Sequence, residues 1–291
     1  MNILTFDIEE WYIAKSRGFG SAELYQKYDR CLKQILDKLD ERSIKATFFC
    51  LGMMAEDFPE VVKTISGRGH EVGCHSHKHL WANKMTESEF REDTRLAVTA
   101  LEQCIGEKVL SYRAPAFSIG ESNLWAFEIL AENGITRDAS VFPAPRDFGG
   151  FPSFGYDGPV ILKRNGWRMV EFPIPLVKVL GKRFAYSGGG YFRLFPKCFI
   201  AKAMDRSDYC MTYFHLEDLI NRKEKMMSKE SYESYFNEKG SAAARIKRYI
   251  KANLGKSGAL EKLDSILTTK SFISLQTAFD KLSGNCPVKA I

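Results

Sequence analysis

Three absences bound the reading of this 291-residue chain before any motif is considered. No Cys-x-x-Cys pair occurs among its seven cysteines, an odd number, which argues against both a zinc-finger and a disulfide framework. They read as small buried hydrophobes of a reducing compartment. No stretch approaches the roughly 18 consecutive apolar residues that cross a bilayer. The opening residues lack a basic segment followed by an apolar run, so a cytoplasmic protein is expected. A strong charge of one sign is also missing: 42 Lys and Arg against 36 Asp and Glu leave a formal +6. That is too sparse for a nucleic-acid-binding face, and no nucleic-acid partner is expected. The excess is nevertheless uneven, with 14 basic against 9 acidic residues over 216–291 and 28 against 27 before it. Weak attraction to an anionic membrane surface or a lipid-linked, phosphate-bearing substrate stays open.

What is present is ample apolar material, 45% of residues, in a regular alternation. Apolar runs at 3–8, 45–51, 70–74, 108–112 and 135–138 read as strands, and amphipathic stretches at 23–42, 59–67, 86–105 and 121–133 read as helices. Thr86-Glu87-Ser88-Glu89 is a capping box opening the third helix. Such alternation predicts a largely parallel sheet, open or closed into a barrel, with functional groups at the C-terminal strand ends. From 142 to 191 the pattern breaks into Pro, Gly and aromatics around one strand at 169–173, and reads as a lid or substrate rim. A helix at 196–206 and a strand at 209–215 follow. The segment 220–239 reads as charged and helical or partly mobile, 241–254 and 260–268 as helices, and 272–275 as a last strand. No internal repeat or low-complexity tract is found. One domain over 1–291 is expected, with a core at 1–216 and a basic, mostly helical part at 217–291.

Four segments carry chemistry, each at a predicted strand end. Four of the five histidines fall within ten residues, and His75 and His79, spaced i and i+4, point the same way if the chain turns helically there, with His77 facing away. The plain alternative is a polar loop whose histidines satisfy backbone groups. Asp7-Ile8-Glu9-Glu10 ends an apolar strand, on which Asp7 and Glu9 share one side. One carboxylate with two histidines is a common catalytic zinc set, and a second carboxylate is then free to act as base. A solvated acidic strand end is the alternative. Arg113, in Tyr112-Arg113-Ala114-Pro115, can grip a carboxylate with two bonds or simply precede a turn proline on the surface. His215 ends an apolar strand and is either a structural histidine or a general acid.

In this order the segments resemble the polysaccharide deacetylase superfamily, metal-dependent carbohydrate esterases that include chitin and peptidoglycan deacetylases. The resemblance covers about residues 2–216. Thr5-Phe6-Asp7-Ile8-Glu9 is similar to the family's Thr-Phe-Asp-Asp motif, which implies Asp7 as catalytic base; Ile8 replaces the second Asp, so Glu9 becomes the implied ligand and Glu10 the second choice. His75-Ser76-His77-Lys78-His79 matches the His-Ser/Thr-x-x-His motif and implies His75 and His79 as ligands. Arg113-Ala114-Pro115 implies that Arg113 orients Asp7, and Thr212-Tyr213-Phe214-His215 implies His215 as general acid. The usual Asp-Trp pair that tunes the acid is not evident, and Asp138 is a candidate by position only. Gly188-Gly189-Gly190-Tyr191-Phe192-Arg193 and Ser140-Val141-Phe142-Pro143 look like the bacterial branch associated with surface-glycan loci. The resemblance implies a distorted (β/α) barrel of seven or eight parallel strands and a divalent cofactor, zinc first, then cobalt, nickel or manganese. The implied reaction is hydrolysis of an acyl group from an amino sugar in a glycan or its nucleotide- or lipid-linked precursor. A deformylase or amidase on a small substrate and a catalytically silent glycan-binding protein are the rival readings.

Overall fold

The computed structural model describes residues 1–291 apart from 147, 165, 237, 283 and 285. Asp147 and Asn165, in the predicted 142–191 rim, and Asn237, in the 220–239 segment, thus lie outside the described residues. The central sheet consists of β1 Thr5–Ile8, β2 Thr47–Cys50, β3 Glu71–Cys74, β4 Ser111–Tyr112, β5 Arg137–Asp138, β6 Val160–Arg164, β7 Trp167–Glu171, β8 Phe214–His215 and β9 Val288–Ala290. Their order is β8-β1-β2-β3-β4-β5-β7-β6-β9. All pairings from β8 through to β7 are parallel, seven strands in all, whereas β6 lies antiparallel to β7 and carries β9 beside it.

Strand alternation divides the apolar residues between two layers. Phe6, Ile8, Phe48, Cys50, Val72 and Cys74 face outward and pack under the helices, with Phe6 stacked on Phe48 at 4.9 Å. Ile3, Phe49, Val170, Phe172, Met211 and Tyr213 face the other way and fill the interior. The sheet is curled, because Arg113, just past β4, reaches Asp7 on β1, three strands away, and Met211 beyond it. Tyr209 crosses the remaining seam, its hydroxyl donating to the Pro173 carbonyl at 2.7 Å. The expected barrel-like fold of mostly parallel strands, with helices at the C-terminal end, is the observed one.

Helices Ala22–Glu41, Pro59–Gly67, Glu87–Ile105 and Trp125–Glu132 cover the outside as the periodicity predicts, and the Thr86 and Glu89 capping box forms. The rim from 142 to 191 is more structured than expected. Besides β7, which is the expected strand shifted by two residues, it contributes β6 and a hairpin of Leu176–Val179 with Lys182–Ala185, turned at Leu180 and Gly181, both with positive φ. The predicted strand at 272–275 makes only one bridge, Ile273 with Ile3. Ser274 then accepts from the Thr277 N–H and starts helix Leu275–Leu282 instead. Among the described residues no helix is long and apolar enough to cross a membrane.

Candidate metal and hydrolase site

β1 ends at Ile8 and helix Glu10–Ser16 begins at once, leaving Glu9 at the junction with its side chain over the barrel mouth. β3 ends at Cys74 and delivers His75, whose N–H donates to the Cys50 carbonyl at 2.9 Å. The turn that follows is not helical, contrary to the i and i+4 argument. Ser76 and His79 both take positive φ, and the bend is held by Ser76 Oγ accepting from His79 N–H and by Asp93 accepting from His77 N–H. The outcome is nonetheless convergence: one ligand atom each from Glu9, His75 and His79 lies within 4.8 Å of the others. His77 faces away toward Glu56. His70 is a structural histidine, its Nδ1 accepting from Ala46 N–H, with burial pushing its pKa down to about 4.

These three side chains fit a divalent cation. Glu9 Oε2 is buried and accepts no aligned hydrogen bond, although His79 Nε2 is 2.7 Å away and His75 Nε2 3.5 Å. His75 Nδ1 sits 2.8 Å from the Arg113 carbonyl, an arrangement that fixes the ring with its Nε2 lone pair toward Glu9. Burial works against the Glu9 carboxylate, but the nearby imidazoles of His79, His215 and His75 hold its pKa well below the ordinary range. Glu10 turns from the cluster, accepting from the Glu217 and Glu9 N–H groups at 3.2 Å. Burial and the nearby Glu9 charge push its carboxyl up to about 8.

Asp7 lies below Glu9 on the same side of the strand and is almost wholly buried. Arg113 holds it with one bond, Nη1 to Oδ1 at 2.8 Å, rather than the two that a guanidinium can make. The fork is shared: Nη1 also donates to Thr5 Oγ1, Nε to the Ala139 carbonyl, and Nη2 faces Met211 Sδ. The other Asp7 oxygen is left facing His215 Nε2 at 3.8 Å, and His215 Nε2 is 3.7 Å from Glu9 Oε1.

The carboxylate beside His215 is Asp218, which the sequence reading missed. Its Oδ2 accepts from the His215 N–H at 3.1 Å and lies 3.4 Å from Nδ1, and Arg193 Nε holds its Oδ1 at 3.2 Å. Asp138 is not that partner. It ends β5, inside the barrel, where it accepts from Ser140 and lies against Glu171, burial raising both pKa values. Burial opposes the charged imidazole of His215, but Glu9, Asp218 and Asp7 outweigh it and push its pKa up to about 10.

Backbone strain gathers here. Of the six described non-glycine residues with positive φ, Ser76, His79, Ala116 and Phe117 border the site. Each costs roughly 1–3 kcal/mol and persists where surroundings over-determine it. The Ala116–Phe117 bend is braced by Gly149 and Gly150: Gly150 N–H donates to the Phe117 carbonyl, and any side chain on Gly149 would run into the carbonyls of 116 and 117. Trp81, two residues past His79, packs under Tyr235 and Phe236 of helix Lys229–Phe236, giving the site an aromatic roof. A cleft of about 400 Å³ opens beside it, lined by Trp81, Ser118, Arg146 and Phe148 but by none of the ligand residues.

With this geometry in hand, two family models match the chain: the polysaccharide deacetylase model over residues 3–136, and a domain of unknown function (DUF3473) over 139–280. Residues 3–136 belong to the polysaccharide deacetylase family. Among its relatives are a peptidoglycan-N-acetylglucosamine deacetylase of Bacillus cereus, 35% identical over 127 residues, and a chitooligosaccharide deacetylase of Rhizobium leguminosarum bv. trifolii, 32% identical over 106. The first match covers 42% of this chain and 46% of the relative, the second 33% and 49%, so the chain aligns with less than half the length of either. A Mycobacterium smegmatis protein solved as a candidate polysaccharide deacetylase superposes with a TM-score of 0.65 at 18% identity, over 100% of this chain and 92% of its own. A CE4-family pseudoenzyme from Bacillus anthracis gives 0.52 at 13%, over 95% and 64%. At such identities the likeness is one of fold.

Proposed function

We propose that the protein is a divalent-metal-dependent hydrolase that removes an N-acetyl or related acyl group from an amino sugar during surface-glycan assembly. The observation that carries this reading is the convergence of Glu9, His75 and His79 beside an Arg113-held Asp7, with His215 across from both. A cation held by Glu9, His75 and His79, zinc or another borderline metal, would supply Lewis acidity to the acyl carbonyl and to the attacking water.

The chain's own residues do the proton work. The free oxygen of Asp7 takes a proton from water as the water oxygen bonds to the acyl carbon. Arg113 keeps that carboxylate in one orientation from the buried side. The developing oxyanion needs a backbone donor. In the turn after Arg113, Ala114 N–H is taken by Ser140 Oγ, Phe117 N–H by the Ala114 carbonyl, and Pro115 has none, which points to Ala116. As the C–N bond breaks, His215 Nε2 gives its proton to the departing amine, Asp218 stabilising the charged ring until then. Seven unpaired cysteines, four of them buried, support action in a reducing, cytoplasmic setting, on a nucleotide- or lipid-linked sugar rather than finished wall polymer.

Elemental analysis of the purified protein tests the reading. Near-stoichiometric zinc, cobalt, nickel or manganese in the wild type and its loss from a His75→Ala/His79→Ala variant is expected. Asp7→Asn should keep the metal and lose release of acetate from N-acetylated oligosaccharides; an active variant would remove the base assignment. A wild type that takes up none of the four metals would overturn the whole reading.

A further inference from the structure

Helix Ala242–Asn253, AAARIKRYIKAN, has four cationic residues and no carboxylate. Its protein-facing side carries small or stacked groups: Ala252 is buried, Ala244 packs on the aromatic roof, and Arg248 lies over the Phe236 ring. At 100° per residue the opposite side carries Ile246, Tyr249 and Ile250, with Leu254 just beyond the helix end, and all four are exposed by between 38% and 51%. This is the reverse of a surface helix of a soluble domain, which turns its apolar stripe to the core.

The stripe does not stand alone. Any side chain on Gly255 would press on the Arg193 backbone, which brings helix Gly189–Leu194, with exposed Tyr191 and Leu194, alongside Leu254. Two large exposed side chains thus lie near the C-terminal end of a stripe of four, which has Arg245, Lys247 and Lys251 on its flanks. A helix of this kind, apolar on one face, basic at its edges and too short and charged to span, is built to lie in the interface of an anionic bilayer.

We infer that residues 242–254, with Tyr191 and Leu194, form a membrane-surface docking face that seats the hydrolase mouth against an anionic lipid leaflet. Charge decides for lipid over a second copy of the chain, since two such faces would meet with cation against cation. The face also adjoins the chemistry. Arg193 donates to the Lys251 and Ala252 carbonyls at 2.8 and 2.7 Å and on its other edge holds Asp218, the carboxylate beside His215. Docking would thus bring the acid side of the site to the bilayer, and the substrate class would be an acylated amino sugar carried on a lipid. That last step rests on the hydrolase reading, whereas the docking face does not.

Sedimentation of the full chain with vesicles tests it, comparing phosphatidylcholine alone with phosphatidylcholine containing about a third phosphatidylglycerol, at low and high salt. Binding to the anionic vesicles, weakened by salt, and a loss of about tenfold or more in partitioning for Ile246→Ser/Ile250→Ser are expected. Both side chains are exposed, so the variant should keep its circular dichroism and its metal. No binding by the wild type to anionic vesicles at low salt, or equal binding by the double variant, would overturn the proposal. So would a wild-type dimer in sedimentation equilibrium that the double variant abolishes, which would give the face to a second copy. Vesicle binding needs neither metal nor turnover, so a failed hydrolase reading would leave it intact and a failed docking face would leave acetate release intact.

Discussion

Arg113→Met removes a guanidinium that is fully buried among Asp7, Thr5, the Ala139 carbonyl, Met211 and the ring of Phe49, 4.3 Å away. The methionine is close to the arginine stem in length, so the packing loss is small and the electrostatic loss dominates. What remains is Asp7, 2% exposed, without its counter-charge. Breaking a buried ion pair on one side costs about 3–5 kcal/mol, since the surviving charge pays its desolvation alone. At roughly 2.1 cal/mol/K of unfolding entropy per residue, that corresponds to a fall in melting temperature of about 5–8 °C for a chain of this length.

The cycle with Asp7→Asn separates the pair from the packing. Asparagine keeps an oxygen for Arg113 but no charge, so the single variant should lose about 1–3 kcal/mol. In Asp7→Asn/Arg113→Met neither charge is left to bury, and the double variant should be more stable than the sum of the single losses by at least about 1 kcal/mol. Thermal unfolding of the four proteins, metal-loaded and at one pH, measures this directly. Strict additivity would refute the argument that Arg113 is in place to hold Asp7, and with it the account of how the base keeps its orientation.

Two further outcomes follow from the acid side. Asp218→Asn should pull the alkaline limb of the kcat profile down by about 1–2 pH units while metal content stays unchanged, and an unmoved limb would remove Asp218 as the partner of His215. The sign follows because Asp218, with Glu9 and Asp7, raises the His215 pKa, to about 10 in the metal-free chain, and its loss lowers it; the stabilisation this shift brings that chain is complete below about pH 6.5 and is lost as pH rises through about 10. Gly188→Ala should cost about 1–3 kcal/mol and lower kcat, because the new methyl would overlap the Tyr213 carbonyl and ring two residues before His215; unchanged melting and turnover would show that the approach is not tight.

Local order in the chain made much of the site legible. His75 and His79 are four residues apart, Asp7 and Glu9 two, and strand alternation alone puts the carboxylates on one side. The histidines converge through positive φ at Ser76 and His79, however, and not through the helical turn that their spacing suggests. Asp218 carried a local signal that went unread: a carboxylate three residues past His215 accepts from its N–H, as an N3 acid does in a capping box. Arg193, 22 residues before His215, carried none, because only the fold brings the last turn of helix Gly189–Leu194 beside Asp218. Within 142–191 the strand read at 169–173 is β7, but the Gly and Pro density hid β6 and a hairpin, whose turn needs the positive φ that Leu180 and Gly181 supply.

The two matched segments meet inside one site, and this bears on what the second one is for. Residues 3–136 supply the Glu9, His75 and His79 cluster, Asp7 and Arg113, whereas His215, Asp218, Arg193 and the Tyr235 and Phe236 roof come from 139–280. The dependence runs through the barrel interior as well. Arg113 donates a bond to the Ala139 carbonyl and touches Met211, β1 pairs with β8, and the strained Ala116–Phe117 bend is braced by Gly149 and Gly150. A first segment standing alone would bury Arg113 with two of its four partners missing, leave β1 as an open edge and release a turn that costs roughly 1–3 kcal/mol per strained residue to hold. The second segment is therefore part of the barrel that holds the candidate site, and what it adds beyond closing the sheet is the His215 and Asp218 pair, a roof and the basic helix that carries the exposed apolar face.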